Sequence, residues 1–116
     1  MRTMLNSKLH RAAITECELN YEGSCSIDTD LLKAADIIPY EKIEIYNINN
    51  GQRFSTYAIP ADSGTRKIGL NGAAARLGEL GDRLIIATYK IVQDEQVVKH
   101  KPKVILLDEK NNIIEE

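Results

Sequence analysis

Tryptophan is absent from this chain, phenylalanine occurs once, and there are only two cysteines, Cys17 and Cys25, and two histidines, His10 and His100. The cysteines lack CxxC spacing and the histidines stand far apart in sequence, so the ligand pattern of a metal site is missing and no metal is expected. Spacing alone would permit a Cys17–Cys25 disulfide, but a reduced pair is the expectation for a cytoplasmic chain, with Cys25 a buried, inert thiol. Neither sign of charge forms a run. Fifteen basic against seventeen acidic residues leave a net charge of -2, without the footprint of a nucleic-acid or membrane-surface binder. No apolar stretch approaches the roughly eighteen residues of a membrane helix, and the start, Met-Arg-Thr-Met-Leu-Asn-Ser-Lys, lacks the apolar core of a signal peptide. The cytoplasm is therefore the default compartment. Internal repeats, linkers and low-complexity tracts are also missing.

What is present suits one small folded domain. With 116 residues, 43% of them hydrophobic and 28% charged, the chain can build a single core but not two, so residues 1–116 are expected to form one domain. Short β-compatible segments run from Thr3 to His10 and from Ala12 to Glu16, and Lys8 and His10 share a face by the two-residue strand period. Asp28-Thr29-Asp30 offers a cap and acidic first turn for a two-turn helix through Leu31–Ala35, which Pro39 should stop. Alternation in Lys42–Ile48, the turn signal Asn49-Asn50-Gly51 and the extended Arg53–Ile59 predict a hairpin. Ile68–Leu70, Arg83–Val92 and a last segment, Lys103–Leu107, read as further strands, with a short helix over Ala73–Leu77. Strands dominate and helices are short, which predicts a small closed β-barrel.

One stretch carries chemistry. Asn20-Tyr21-Glu22-Gly23-Ser24-Cys25 sets a glycine directly before a hydroxyl residue in a turn-like segment. Glycine reaches backbone conformations closed to other residues, so the Gly23 carbonyl can be held within reach of the Ser24 hydroxyl. Attack by that hydroxyl turns the amide into an ester. Elimination then releases the acyl group, and hydrolysis of the resulting dehydroalanine leaves a pyruvoyl ketone at a new chain start. Such a carbonyl can form a Schiff base with an amine. Taken alone, a Gly-Ser pair is more often a plain turn.

Three motifs give the dipeptide its context. Tyr21-Glu22-Gly23-Ser24-Cys25, Asn50-Gly51-Gln52-Arg53-Phe54-Ser55-Thr56-Tyr57-Ala58-Ile59, and Leu70-Asn71-Gly72-Ala73-Ala74-Ala75 with Gly81-Asp82 resemble, in order and spacing, aspartate 1-decarboxylase, a small pyruvoyl enzyme family. The likeness runs from Met4-Leu5 to about Val92. It implies a six-stranded double-psi β-barrel, a homotetramer with active sites between neighbouring subunits, and decarboxylation of L-aspartate to β-alanine for pantothenate and coenzyme A synthesis. It also implies autocatalytic cleavage between Gly23 and Ser24 into chains 1–23 and 24–116, with Ser24 becoming the covalent pyruvoyl cofactor. A maturation factor, which some bacterial relatives need, is a partner the resemblance admits. Decarboxylating an amino acid requires somewhere for an electron pair to go, and side chains alone offer no such sink.

By the same likeness Tyr57 is the acid that protonates the carbanion, and a phenol suits this if its oxygen lies within hydrogen-bond reach of the carbon. Arg53 would grip a substrate carboxylate by two parallel hydrogen bonds, with Lys8 a second cation for a substrate with two carboxylates. Thr56 would orient the cut-site carbonyl and contact substrate, although its strand parity is opposite to that of Arg53, Ser55 and Tyr57. Asn71, Gly72, Ala73 and Ala74 would bring an amide side chain and open backbone N–H groups to the substrate. Two positions depart from the family pattern: Tyr46 stands where some relatives carry tryptophan, and Ser26 where relatives carry alanine. Two other readings stay open, a non-catalytic barrel used for binding or assembly, and a decarboxylase of another acidic amino acid such as glutamate.

Overall fold

A computed structural model describes residues 1–116. Its strands are β1 (Arg2–Ala13), β2 (Glu16–Glu18), β3 (Ser24–Asp28), β4 (Lys42–Asn47), β5 (Arg53–Ala61), β6 (Ile68–Asn71), β7 (Arg83–Val92), β8 (Lys103–Leu107) and β9 (Ile113–Glu115). Helical structure is limited to α1 (Thr29–Ala35) and two 3-10 segments, Gly72–Leu77 and Asp94–Lys99. The chain is thus mainly β with short helices, as its alternation suggests.

Hydrogen bonding runs in the order β2-β6-β3-β5-β4-β7-β1-β8-β9. Because β1 and β2 are consecutive in the chain, separated only by Ile14 and Thr15, this ladder returns to its start. Thr15 N donates to Ile68 O at 2.8 Å, and Ile68 N donates back to Thr15 Oγ1 at 3.0 Å, which fastens the joint. Counting β1 and β2 as one stave gives six around the ring, a closed barrel that leaves no free edge there. The pairs β2–β6 and β3–β5 are parallel and the rest of the ring is antiparallel, so the barrel is not a simple up-and-down meander. The strands β8 and β9 extend the sheet outward from β1.

Apolar residues recurring every second position fill the interior. Leu9, Ile27, Ile43, Ile45, Ile68, Leu70, Leu84, Ile86, Ile105 and Leu107 are all fully buried in one cluster. Helix α1 closes one side with Leu31, Leu32 and Ala35, packed against β1, β3 and β8. Its N-cap is Asp28, whose Oδ1 accepts from Asp30 N at 2.8 Å, as the sequence suggests. Its stop is earlier than Pro39: Asp36 takes a left-handed conformation, φ 55°, and Ile37 N returns to Leu32 O at 2.9 Å.

Other boundaries also move. The first predicted segment and the start of the second, Ala12–Ala13, form one twelve-residue strand, β1, while the second segment's end, Glu16, opens β2; β1 pairs β7 with irregularities at Leu5/Ser7 and His10/Ala12, the second marked by Arg11 at φ 70°. The Ala73–Leu77 helix is a 3-10 segment starting at Gly72, and the strand Lys103–Leu107 is followed by one more, β9. The segment Asp94–Lys99 had no periodicity to betray it. No helix of the chain is long and apolar enough to cross a membrane.

Candidate active site

Ser24 opens β3, directly after the turn Asn20–Gly23, and is fully buried. Its hydroxyl donates to Glu22 O at 3.0 Å and accepts from Asn71 Nδ2 at 3.0 Å. The first of these bonds folds Oγ back along the chain, toward the peptide that joins Gly23 to Ser24. Asn71 faces Ser24 across the antiparallel β3–β6 pair, and its amide also donates to Ser26 Oγ at 2.8 Å. The hydroxyl of Ser26 therefore shares a donor with Ser24.

The glycine that close packing requires here is Gly72. A Cβ at that position would come within 2.8 Å of both Gly23 Cα and Gly23 N, and within 2.9 Å of Tyr21 O, and its φ of +66° already favours glycine. A Cβ at Gly23 itself would meet nothing, and its φ is not left-handed. The conformational freedom expected of Gly23 is thus not used in this uncut arrangement. Gly72 instead lets the chain before Ser24 lie against the start of the 3-10 segment.

Strand parity sorts the remaining candidates. On β5, Phe54 and Ala58 face the core, so Arg53, Ser55 and Tyr57 face out and Thr56 faces in. On β3, Cys25 and Ile27 are core residues, which turns Ser24 and Ser26 to the outer side, where Ser26 and Asn71 border a cleft of about 260 Å³ with Tyr21 and Ile59. The parallel register Cys25↔Ala58, continued back by one residue, brings Ser24 level with Tyr57 on that same side. These two are neighbours. Because β4 and β5 pair without irregularity from Lys42↔Tyr57 to Tyr46↔Arg53, no bulge turns Thr56 outward. The parity conflict seen in the sequence is real.

Arg53 lies four residues from Tyr57, about 13 Å along the strand. Its guanidinium stacks on the ring of its cross-strand partner Tyr46, 3.9 Å from the centroid. Lys8 is farther round: the pairs Lys8↔Ala87, Ala87↔Glu44 and Glu44↔Ser55 put it three strand spacings, about 14 Å, from β5. Within one chain, then, Ser24, Asn71, Gly72 and Tyr57 are brought together, while Arg53 and Lys8 share the outer face but stand apart from them. Ala73 is exposed beside Gly72, whereas the Ala74 side chain packs into the core, leaving only its backbone to face a ligand. Asn71 makes no side-chain cap to the 3-10 segment; its Nδ2 donates to the two serines instead. A larger cavity of about 470 Å³, walled by Lys90, Lys99 and Lys101, touches none of these residues.

Electrostatics separate reactive from inert groups. Burial alone pushes the Cys25 thiol up to about 12, so it stays protonated and inert, as its sequence position suggests. Burial, reinforced by Lys8, Arg11 and Arg83, lowers the His10 imidazole below its ordinary 6.5 and keeps it neutral.

The family model described as aspartate decarboxylase matches residues 1–114. This chain belongs to the aspartate decarboxylase family. It is 60% identical over 114 residues to a protein of Cupriavidus necator named aspartate 1-decarboxylase, covering 98% of this chain and 95% of that protein. Proteins of the same name from Psychromonas ingrahamii and Desulfotalea psychrophila are 58% identical over 113 residues and 56% over 115. The matches cover 97% and 99% of this chain, and 90% and 97% of those proteins. Family membership accounts for the motif order at once. Sequence reasoning passed over Tyr89 altogether, although its hydroxyl meets that of Tyr46 at 2.8 Å. The only signal available was its parity with Ala87 on the strand read over Arg83–Val92.

Proposed function

We propose that this chain cuts itself between Gly23 and Ser24 and, with the pyruvoyl group so formed, decarboxylates L-aspartate at its α-carbon to β-alanine and carbon dioxide. That product supplies pantothenate and so coenzyme A synthesis. The observation that carries the proposal is the buried Ser24 hydroxyl, held between Glu22 O and the Asn71 amide in a chain of this family. The surroundings fit a serine that is to be cut: Gly72, with no Cβ, lets the Gly23 backbone lie against it, and Asn71 presents an N–H to the attacking Ser24 hydroxyl.

Cleavage starts when Ser24 Oγ attacks the Gly23 carbonyl carbon, breaking the C–N bond and freeing the Ser24 amine as an ester forms. Loss of the Ser24 α-proton expels the Gly23 carboxylate, and water then replaces the amine, which leaves as ammonia. Thr56 is assigned to orienting the Gly23 carbonyl, a role its inward parity allows only if the segment before Ser24 shifts during the cut. The pyruvoyl carbonyl, once present, supplies the electron sink that no side chain provides.

Tyr57, level with Ser24 and on the same face, is assigned to donating a proton to the substrate α-carbon after carbon dioxide leaves. Asn71 and the backbone at Gly72, Ala73 and Ala74 hold the substrate beside Ser24. Arg53 pairs with a substrate carboxylate, and Lys8 adds a second positive charge. Because Arg53 stands about 13 Å along β5 from the residue level with Ser24, and Lys8 about 14 Å from β5 by strand spacing, they serve the Ser24 of a neighbouring copy, and a homotetramer is the assembly that accords with this.

Incubating the purified protein with aspartate and glutamate together tests the reading. β-Alanine is the expected product, and one extra methylene gives only modest discrimination in an apolar slot, so some turnover of glutamate is compatible. Production of 4-aminobutyrate alone would reassign the substrate, and the absence of either product would remove the activity.

A further inference from the structure

The outer face between β4 and β7 carries an arrangement that the assigned roles leave unused. Tyr46 and Arg53 are direct cross-strand partners, and the guanidinium lies over the Tyr46 ring at 3.9 Å. The Tyr46 hydroxyl meets the Tyr89 hydroxyl at 2.8 Å, yet the two residues are far from level: Tyr46 pairs with Ile85, four residues before Tyr89 on β7. The phenols therefore reach toward each other along the strand direction, across Ala87. That alanine has the outward parity of Ile85 and Tyr89 and lies outside the core cluster, but is only 1% exposed. A methyl group leaves room for two phenols to meet above it, and a longer side chain would hold them apart. Tyr46, Ala87 and Tyr89, together with Thr3, Lys42 and Glu44, wall a groove of about 460 Å³.

We propose that Tyr46 and Tyr89 are a positioning pair for Arg53, fixing the aromatic platform on which the guanidinium rests so that its N–H edge stays free for a carboxylate. The inference rests on the reading of Arg53 as the carboxylate-binding residue. A guanidinium on a flexible stem loses rotamer freedom when it binds, and a platform that restricts it beforehand reduces that loss. Stacking leaves the planar fork's hydrogen-bond donors unspent, which an ion pair would not; Arg53 has no carboxylate partner within its own chain. The ring must then be held still, and the bond to Tyr89 does so from a separate strand. Burial first, and the hydrogen bond to Tyr89 second, push the Tyr46 phenol up to about 12, so Tyr46 stays protonated in the working range.

The test uses Tyr89→Phe, Tyr46→Phe and the double variant in the self-cleaved enzyme. Each single variant is expected to raise KM for aspartate roughly three- to tenfold, the effect of one lost hydrogen bond, with kcat within about twofold of the parent. The double variant should be no worse than either single, because both remove the same bond. A second readout needs no activity: the Arg53 side-chain protons, shifted upfield by the ring beneath them in the parent, should move toward free-arginine positions in Tyr89→Phe. Unchanged KM together with unchanged Arg53 resonances would overturn the proposal, as would additive losses confined to kcat. Failure of the parent to turn over aspartate would sink the activity instead, leaving the resonance measurement to decide the pairing.

Discussion

Gly72, Ser24 and Asn71 show how much of this site depends on single atoms. Adding one methyl at Gly72 drives it to 2.8 Å from the Gly23 backbone and strains a φ of +66°. Gly72→Ala is therefore expected to cost about 1–3 kcal/mol and to slow the cut, since the segment that must move is the one displaced. Thermal unfolding and a denaturing gel over time check both effects. The two thiols make a contrasting case: Cys17 is exposed and Cys25 buried, so a thiol reagent should modify Cys17 in the native protein and reach Cys25 only after denaturation. His10 sets a pH dependence. Its folded value lies below the unfolded 6.5, so between the two the unfolded chain binds more protons; the stability it contributes is present above 6.5 and is lost as pH falls through the folded value. His10→Gln should flatten the fall in denaturation midpoint as pH drops from neutral through and below 6.5. At this scale the motifs were legible because they are contiguous, whereas the Gly72–Gly23 approach and Tyr89 were not, because sequence distance hides which backbones touch.

Among the elements, the closing joint of the barrel is held by a residue that no pattern marked. Asn111, fully buried at φ 62°, accepts from Ala13 N at 2.7 Å through Oδ1 and donates through Nδ2 to Ala13 O at 2.9 Å and Arg66 O at 3.0 Å. It ties the end of β1 and the approach to β6 to the turn before β9. Asn111→Ala leaves those backbone groups without partners and should destabilise the fold by about 2–4 kcal/mol, read as a lower denaturation midpoint with the slope unchanged. The hairpin β4–β5 was legible from alternation and its Asn-Asn-Gly turn, and the cap of α1 from Asp28. The helix stop at Asp36 and the strand β9 were not, because a left-handed residue and a three-residue pairing depend on the partner strand more than on their own composition.

For the molecule as a whole, the barrel spreads the assigned residues around its outer surface without bringing them to a point. Ser24 and Tyr57 stand together, while Arg53 stands four residues along β5 and Lys8 three strand spacings from β5, distances that one small amino acid does not span. Two copies meeting on that face would complete the set. Mixed assemblies of Ser24→Ala and Arg53→Ala chains, each inactive alone, are then expected to regain activity, since an intact Ser24 and an intact Arg53 can meet across the joint; mixtures as inactive as their parents would show that the residues work within one chain. Parity in the sequence had already exposed the conflict at Thr56, but the distances needed the register of the strands.

Most directly, the central claim is tested by the intact mass of the purified mature protein. The account predicts a chain of residues 1–23 and a chain beginning at residue 24 that is one ammonia lighter than a serine-started fragment, with β-alanine formed from aspartate. A single unbroken chain of 116 residues, with Ser24 still joined to Gly23 and no β-alanine produced, would contradict it.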